Sequence, residues 1–288
     1  MTDDKTYQYA LESPVTEPPE TVVSLVPSIT ESLFDLGLGD TVIGVTEYCI
    51  HPADKVASLT KVGGTKTPNV QQIIDLKPDL VFANQEENRK VDVLALKDAG
   101  INVWVTFPKT VQDALNLLWN IMYAFDETSM APRVRIIESS YDWVSSVSEA
   151  KEFEEPCKVF APIWKDPLMT FNGDTYIHNL LHVCGAQNIF ADRERQQPLK
   201  ADLGRGELRD TRYPHISLKE IEERQPDVIL LPSEPYQFTE ADRKLFEGLD
   251  IPAVKNNRIH LVDGSYLTWH GTRVAYALNE IPQLLCLD

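Results

Sequence analysis

The chain lacks the signatures of several large functional classes. No stretch of about 18 consecutive apolar residues occurs, so no segment has the length a membrane-spanning helix needs. Basic residues are scarce, 27 Lys and Arg against 44 Asp and Glu. The resulting net charge of -17 repels a phosphate backbone and an anionic membrane surface alike, which argues against nucleic acid as a partner and against membrane insertion. Four cysteines, Cys49, Cys157, Cys184 and Cys286, are scattered without a Cys-x-x-Cys pair, which excludes a zinc knuckle and a thioredoxin-type motif. Their simplest role is that of small buried apolar side chains. No Gly-x-Ser-x-Gly elbow and no cysteine in an evident His-Asn setting offers a nucleophile, and no Gly-x-Gly-x-x-Gly follows the first strand to cradle a dinucleotide. An enzymatic activity is not expected.

What the chain does contain is a repetition. Ile73-Ile74-Asp75-Leu76-Lys77-Pro78-Asp79-Leu80-Val81-Phe82-Ala83 returns as Ile221-Glu222-Glu223-Arg224-Gln225-Pro226-Asp227-Val228-Ile229-Leu230-Leu231. At nearly the same offset, Leu33 to Asp40 is echoed by Leu180 to Gln187. With 288 residues, the chain suits two domains, and a duplicated chain commonly binds its ligand in the groove between its halves.

The local grammar supports α/β units. Val22 to Val26 is an apolar run stopped by Pro27, and Ser28-Ile29-Thr30-Glu31 has the form of a capping box, repeated at Ser217-Leu218-Lys219-Glu220. Val42 to Val45, Leu80 to Ala83, Val159 to Ala161, Val228 to Leu231 and Ile259 to Val262 read as strands, and Asn69 and Thr110 open helices. Strands alternating with helices predict mostly parallel sheets, hence two Rossmann-like lobes. Residues 1 to 20, with Pro14, Pro18, Pro19 and five acidic side chains, suit a flexible acidic arm. The expected organisation is that arm, a first lobe over 21–128, a single long linking helix over 129–151 with Val134, Ile137, Tyr141, Val144 and Val147 at helical spacing, and a second lobe over 152–288. One stiff helix between lobes permits less opening than flexible crossovers would.

Ligand-contact candidates lie at predicted strand ends, where open parallel sheets bind their ligands. Gly63-Gly64-Thr65-Lys66-Thr67-Pro68-Asn69 lets the backbone approach a ligand and sets Lys66 as a point charge beside a helix start. Glu86, after the first Pro-Asp strand, is matched by Glu234 after the second, and both could accept hydrogen bonds or approach a hard cation. Tyr48 with His51, and Trp269 with His270 and Arg273, offer aromatic faces and imidazoles to a planar chelate. His178 and His182 share a helix face without the third ligand or glutamate base of a zinc enzyme, so metal ligation stays undecided at this level.

Ser24-Leu25-Val26-Pro27-Ser28-Ile29-Thr30-Glu31, Gly44-Val45-Thr46-Glu47-Tyr48 and Leu76-Lys77-Pro78-Asp79-Leu80-Val81 resemble the iron-chelate and cobalamin periplasmic-binding proteins, the helical backbone metal receptors. The resemblance spans residues 21 to 285, and Val183-Cys184-Gly185-Ala186-Gln187-Asn188-Ile189-Phe190 is similar to the cobalamin-binding members in particular. It implies a substrate-binding component that holds a cobalamin-like or ferric chelate between two lobes and delivers it to an ABC permease, with no covalently bound cofactor. It implies contacts from Ser28, Tyr48, Lys66 and Glu86 of the first lobe and Trp164, Glu234, Tyr236, Tyr266 and Trp269 of the second. The chain departs from that pattern in three places. Lys66 and Asn84 stand where cobalamin binders place tryptophans, Gln71 and Thr268 where the family offers carboxylates to a permease, and Pro282 where a partner for Cys184 would fall. The opening Met1-Thr2-Asp3-Asp4-Lys5 carries no signal peptide, which reads as cytoplasmic, or as periplasmic or otherwise extracytoplasmic if the start is incomplete. The alternative reading is a cytoplasmic enzyme, or a metal-chelate handling or sensor protein, that reuses the fold.

Overall fold

A computed structural model describes residues 10, 12–150, 155–197 and 210–285. The chain forms two compact units, the first comprising residues 1–108, 112–138 and Trp269–Arg273, the second residues 109–111, 139–268 and 274–288.

In the first unit, β1 (Val22–Ser24), β2 (Val42–Val45), β3 (Thr60–Lys61), β4 (Leu80–Asn84) and β5 (Val103–Thr106) form one sheet in the order β3-β2-β1-β4-β5, parallel throughout. Helices α1 (Pro27–Asp35), α2 (Ala53–Val56), α3 (Val70–Leu76), α4 (Lys90–Asp98) and α5 (Val111–Ala124) are interleaved with the strands. Central strands buried on both faces read as continuous apolar runs, and Leu80 to Ala83 are fully buried for that reason. The core gathers Val23, Leu25, Ile73, Val81, Val93, Leu96 and Val105.

The second unit contains β6 (Cys157–Phe160), β7 (Trp164–Lys165), β8 (Leu168–Met169), β9 (Ala186–Asn188), β10 (Val228–Pro232) and β11 (Ile259–Val262). Four of these make a parallel sheet in the order β11-β10-β6-β9, and β7 with β8 forms a small antiparallel ribbon. Helices α7 (Tyr176–Val183), α8 (Leu218–Arg224), α9 (Pro252–Lys255), α10 (Ser265–Thr268) and α11 (Val274–Leu284) accompany them, over a core of Phe160, Phe190, Ile221, Ile229, Leu231 and Phe246. The connecting helix α6 (Ala131–Ala150) carries Pro132 in its first turn, where the missing N–H costs nothing.

The sequence repeat is a repeat of backbone chemistry. Helix α3 ends at Lys77 and α8 at Gln225, each left-handed with φ 50° and 49°. In both cases Pro-Asp follows, and the aspartate ties its strand to the neighbouring one. Asp79 accepts from the Glu20 and Thr21 N–H groups at 3.0 and 2.9 Å and from the Thr21 hydroxyl at 2.8 Å, contacts that lower its pKa. Asp227 accepts from Lys158 N–H at 2.9 Å. The echoed glycines also agree, Gly37 and Gly185 both being left-handed, at φ 78° and 86°.

Two expectations are corrected. The Ser28-to-Glu31 capping box does not form, because Pro27 already occupies the helix and Val26 is the N-cap; Glu31 turns instead to Arg273. The box at Ser217 and Glu220 does form. Ala10 donates to Val105 O at 3.0 Å and accepts from the Trp104 indole at 2.9 Å, which satisfies part of the open edge of β5. Of the cysteines, Cys49 and Cys184 are buried and free as expected, whereas Cys157 is disulfide-bonded; Cys286 lies outside the described residues.

Candidate ligand site at the strand ends

In each sheet the strand order reverses beside the first strand, next to β4 in the first unit and β10 in the second. Loops leaving the carboxyl ends at such a reversal diverge and open a crevice, which makes these ends the natural binding positions.

In the first unit the reversal is filled by a histidine. His270 is 5% exposed, with Nδ1 3.4 Å from Ser28 Oγ and Nε2 3.4 Å from Asn84 Nδ2. The orientation of Asn84 follows from its other contacts: Oδ1 accepts from the Glu86 and Glu87 N–H groups at 2.8 and 3.4 Å, so its NH2 group faces the ring. Nε2 is therefore the acceptor, and the proton sits on Nδ1, directed at Ser28. Burial lowers the His270 pKa to about 4, so the ring is neutral at pH 7.

Asn88, only 2% exposed, joins three strand-end segments. Its Oδ1 accepts from Asn84 N–H at 2.7 Å, while Nδ2 donates to Thr65 O at 2.9 Å and Leu25 O at 3.4 Å. Lys66 Nζ donates to the Glu86 carbonyl, which links the glycine loop to the segment after β4. Gly63 has φ 91°, and a Cβ there would sit 2.7 Å from Thr67 O, so the loop requires glycine at this point. Over Gly64 lies the Tyr48 ring, whose residue is 61% exposed.

Trp269, His270 and Arg273, expected in the second lobe, belong to the first unit. Arg273 forms a two-pronged pair with Glu31, Nε to Oε2 at 2.7 Å and Nη2 to Oε1 at 2.5 Å. Its guanidinium lies 5.0 Å from the Trp269 ring centre, and the His51 ring meets that indole edge-on at 5.8 Å. Trp269 and Arg273 are thus buried anchors of this segment, unlike the exposed Tyr48 and Lys66.

In the second unit Trp164, Glu234, Tyr236 and Tyr266 all follow strand carboxyl ends. Trp164 is 43% exposed and meets Tyr236 edge-on at 5.6 Å, and Tyr236 meets Phe238 at 4.7 Å. Lys165 Nζ pairs with Asp242 at 2.5 Å and ties the β7 ribbon down. Glu234 Oε1 accepts from Thr268 Oγ1 at 2.5 Å, so Thr268, one of the departures from the family pattern, holds a contact candidate. A Cβ on Gly264 would approach Glu234 Cγ and N to 2.5 Å, so glycine is what admits the Glu234 segment. Tyr266 stacks on Tyr276 at 6.1 Å. No group of three or more His, Cys, Asp or Glu side chains suited to a metal ion occurs among the described residues. Sequence reasoning overlooked the roles of Asn88 and of the Glu31–Arg273 pair; the i, i+4 spacing of Asn84 and Asn88 was the available hint to the first.

Exposed aromatics and a glycine loop with a lysine stand at the strand ends. The family model for periplasmic binding proteins matches residues 22–266, and the chain belongs to that family. It is 24% identical over 271 residues to a vitamin B12-binding protein of Vibrio parahaemolyticus, covering 92% of this chain and 89% of that one. It is 29% identical to the ABC transporter substrate-binding lipoprotein YvrC of Bacillus subtilis, covering 94% and 81%. Among solved structures, the periplasmic heme-binding protein RhuT of Roseiflexus superposes with a TM-score of 0.71 at 20% identity, over 92% of this chain and 97% of that one. The expected fold of two parallel α/β units is borne out.

Proposed function

We propose that this chain is the substrate-binding component of an ABC transporter and carries one metal-bearing chelate of the cobalamin, haem or ferric-chelate class without altering it. The observation that carries the reading is the pair of exposed aromatics at strand ends, Tyr48 over the glycine loop and Trp164 braced edge-on by Tyr236. Flat, partly apolar faces suit a planar macrocycle or an aromatic chelator. Lys66, a cation in a chain of net charge -17, favours a chelate with an anionic arm. Ser28 and His270 act behind this surface rather than on it, and Tyr48, Lys66, Glu86, Trp164, Glu234, Tyr236 and Tyr266 are the contact candidates.

Placement outside the cytoplasm is part of the proposal. Family membership supports it, and so does the bonded Cys157, since disulfides persist in oxidising compartments. No helix among the described residues is long and apolar enough to cross a membrane, so a separate permease would complete the transporter.

The test is titration of the purified protein with cobalamin, haemin and ferric siderophores, followed by tryptophan quenching and absorption spectra. One class should bind with sub-micromolar affinity, about -8 kcal/mol or stronger, and be recovered chemically unchanged. Lys66→Ala and Trp164→Ala should each weaken it at least about tenfold, or 1.4 kcal/mol. Binding of none of these chelates, or full affinity in the double variant, would overturn the reading.

A further inference from the structure

A sizeable cavity lies away from the strand carboxyl ends. It measures about 1200 Å³ and lies within the second unit, against α6, α7, α11 and the amino ends of β6 and β9. Its apolar wall includes Trp143, Val147, Leu278 and Pro282. On α7, His178 and His182 face it one helical turn apart, their rings nearly parallel at 8° with centres 6.5 Å apart. Among the described residues that line the cavity there is no lysine or arginine, whereas Glu149 and Glu155 are present.

We propose that His178 and His182 form a two-imidazole site for a divalent transition-metal ion at this cavity. The donors suit that chemistry. Neutral imidazole is the preferred ligand of zinc, nickel and copper, and nearby carboxylates favour a cation over an anion. Metal–nitrogen bonds of about 2.1 Å bring two ligating nitrogens to roughly 3.0–3.4 Å from each other, so the parallel rings must tilt together. His182 is exposed and has the room to do so. His178 Nδ1 is buried and makes no hydrogen bond, so the facing geometry is not held by a competing contact through that atom. The two histidines leave coordination positions open, and the cavity has the volume to admit water or a small chelator there.

The test is calorimetric titration of untagged, metal-free protein with ZnCl2, with histidine NMR signals followed in parallel. The expected result is saturable 1:1 binding that shifts the His178 and His182 resonances and leaves His51 and His270 unmoved. His182→Ala, at an exposed position, should weaken binding at least about tenfold while circular dichroism stays native. Cys184→Ser should leave it unchanged. Absence of saturable binding, retained affinity in His182→Ala, or loss in Cys184→Ser would each overturn the proposal.

Discussion

Replacing Arg273 by alanine should unfold the first unit's hold on its returning segment. Glu31 and Arg273 expose only 11% and 8% of their side chains, and the two hydrogen bonds between them, at 2.7 and 2.5 Å, are their shared charge compensation. Removing the guanidinium leaves a carboxylate without that partner in a largely dry site, a change that costs about 3–5 kcal/mol. Against a typical domain stability of about 5–15 kcal/mol this is about a fifth of the total or more. The neighbouring Thr272, whose N–H donates to Ser32 Oγ at 3.1 Å and whose hydroxyl donates to Asp35 at 2.7 Å, retains some of the docking. Urea denaturation gives the global number, and hydrogen exchange over α1 and residues 269–273 locates it. The companion variant Glu31→Leu/Arg273→Met removes both charges, and its cost should fall well below the sum of Glu31→Leu and Arg273→Met measured singly, with a coupling of at least about 2 kcal/mol. A loss below about 1 kcal/mol in Arg273→Ala, or strict additivity in the double variant, would refute the argument that the pair is buried and interdependent.

Stability should rise with pH between about 4 and 6.5. Unfolded His270 binds a proton near 6.5 and the folded ring only near 4, so the unfolded state holds more protons in that window, worth about 3 kcal/mol across it. Urea midpoints against pH should show this slope in the wild type and its loss in His270→Gln. In Gly264→Ala, the new Cβ meets the Glu234 main chain at 2.5 Å, and a cost of about 1–3 kcal/mol should appear in the thermal midpoint, together with weaker chelate binding. Asn88→Asp keeps the acceptor for Asn84 N–H but sets a carboxylate against the Thr65 and Leu25 carbonyls. Hydrogen exchange in the 63–67 loop should then accelerate while the second unit is unaffected, at a cost of about 1–3 kcal/mol.

The parallel sheets were legible because their strands are short apolar runs between turn residues, and the Pro-Asp repeat marked two of them directly. Local capping was legible only where local contacts decide it. Ser217 and Glu220 obey the box, but at Ser28 the proline before it and an arginine 242 positions away redirect both partners. The membership of Trp269 to Arg273 is likewise a long-range fact, set by Glu31, Ser28 and Asn84, with no periodicity to announce it. Cysteine pairing could not be read from spacing at all, since four cysteines permit three pairings even when all are oxidised. Exposure divided the candidate contacts: Tyr48 and Lys66 reach solvent, while Ser28 and His270 are buried, a distinction invisible in residue type.

The five residues from Trp269 to Arg273 make the chain's two units interleaved rather than consecutive. A fragment ending after the connecting helix would possess every strand of the first sheet and still lack the plug at its reversal point, leaving Asn84 and Glu31 facing an unfilled notch. Supplying a short peptide bearing Trp269 to Arg273 in trans should restore such a fragment. The chain can be divided in two by eye, but not by scissors at a single cut.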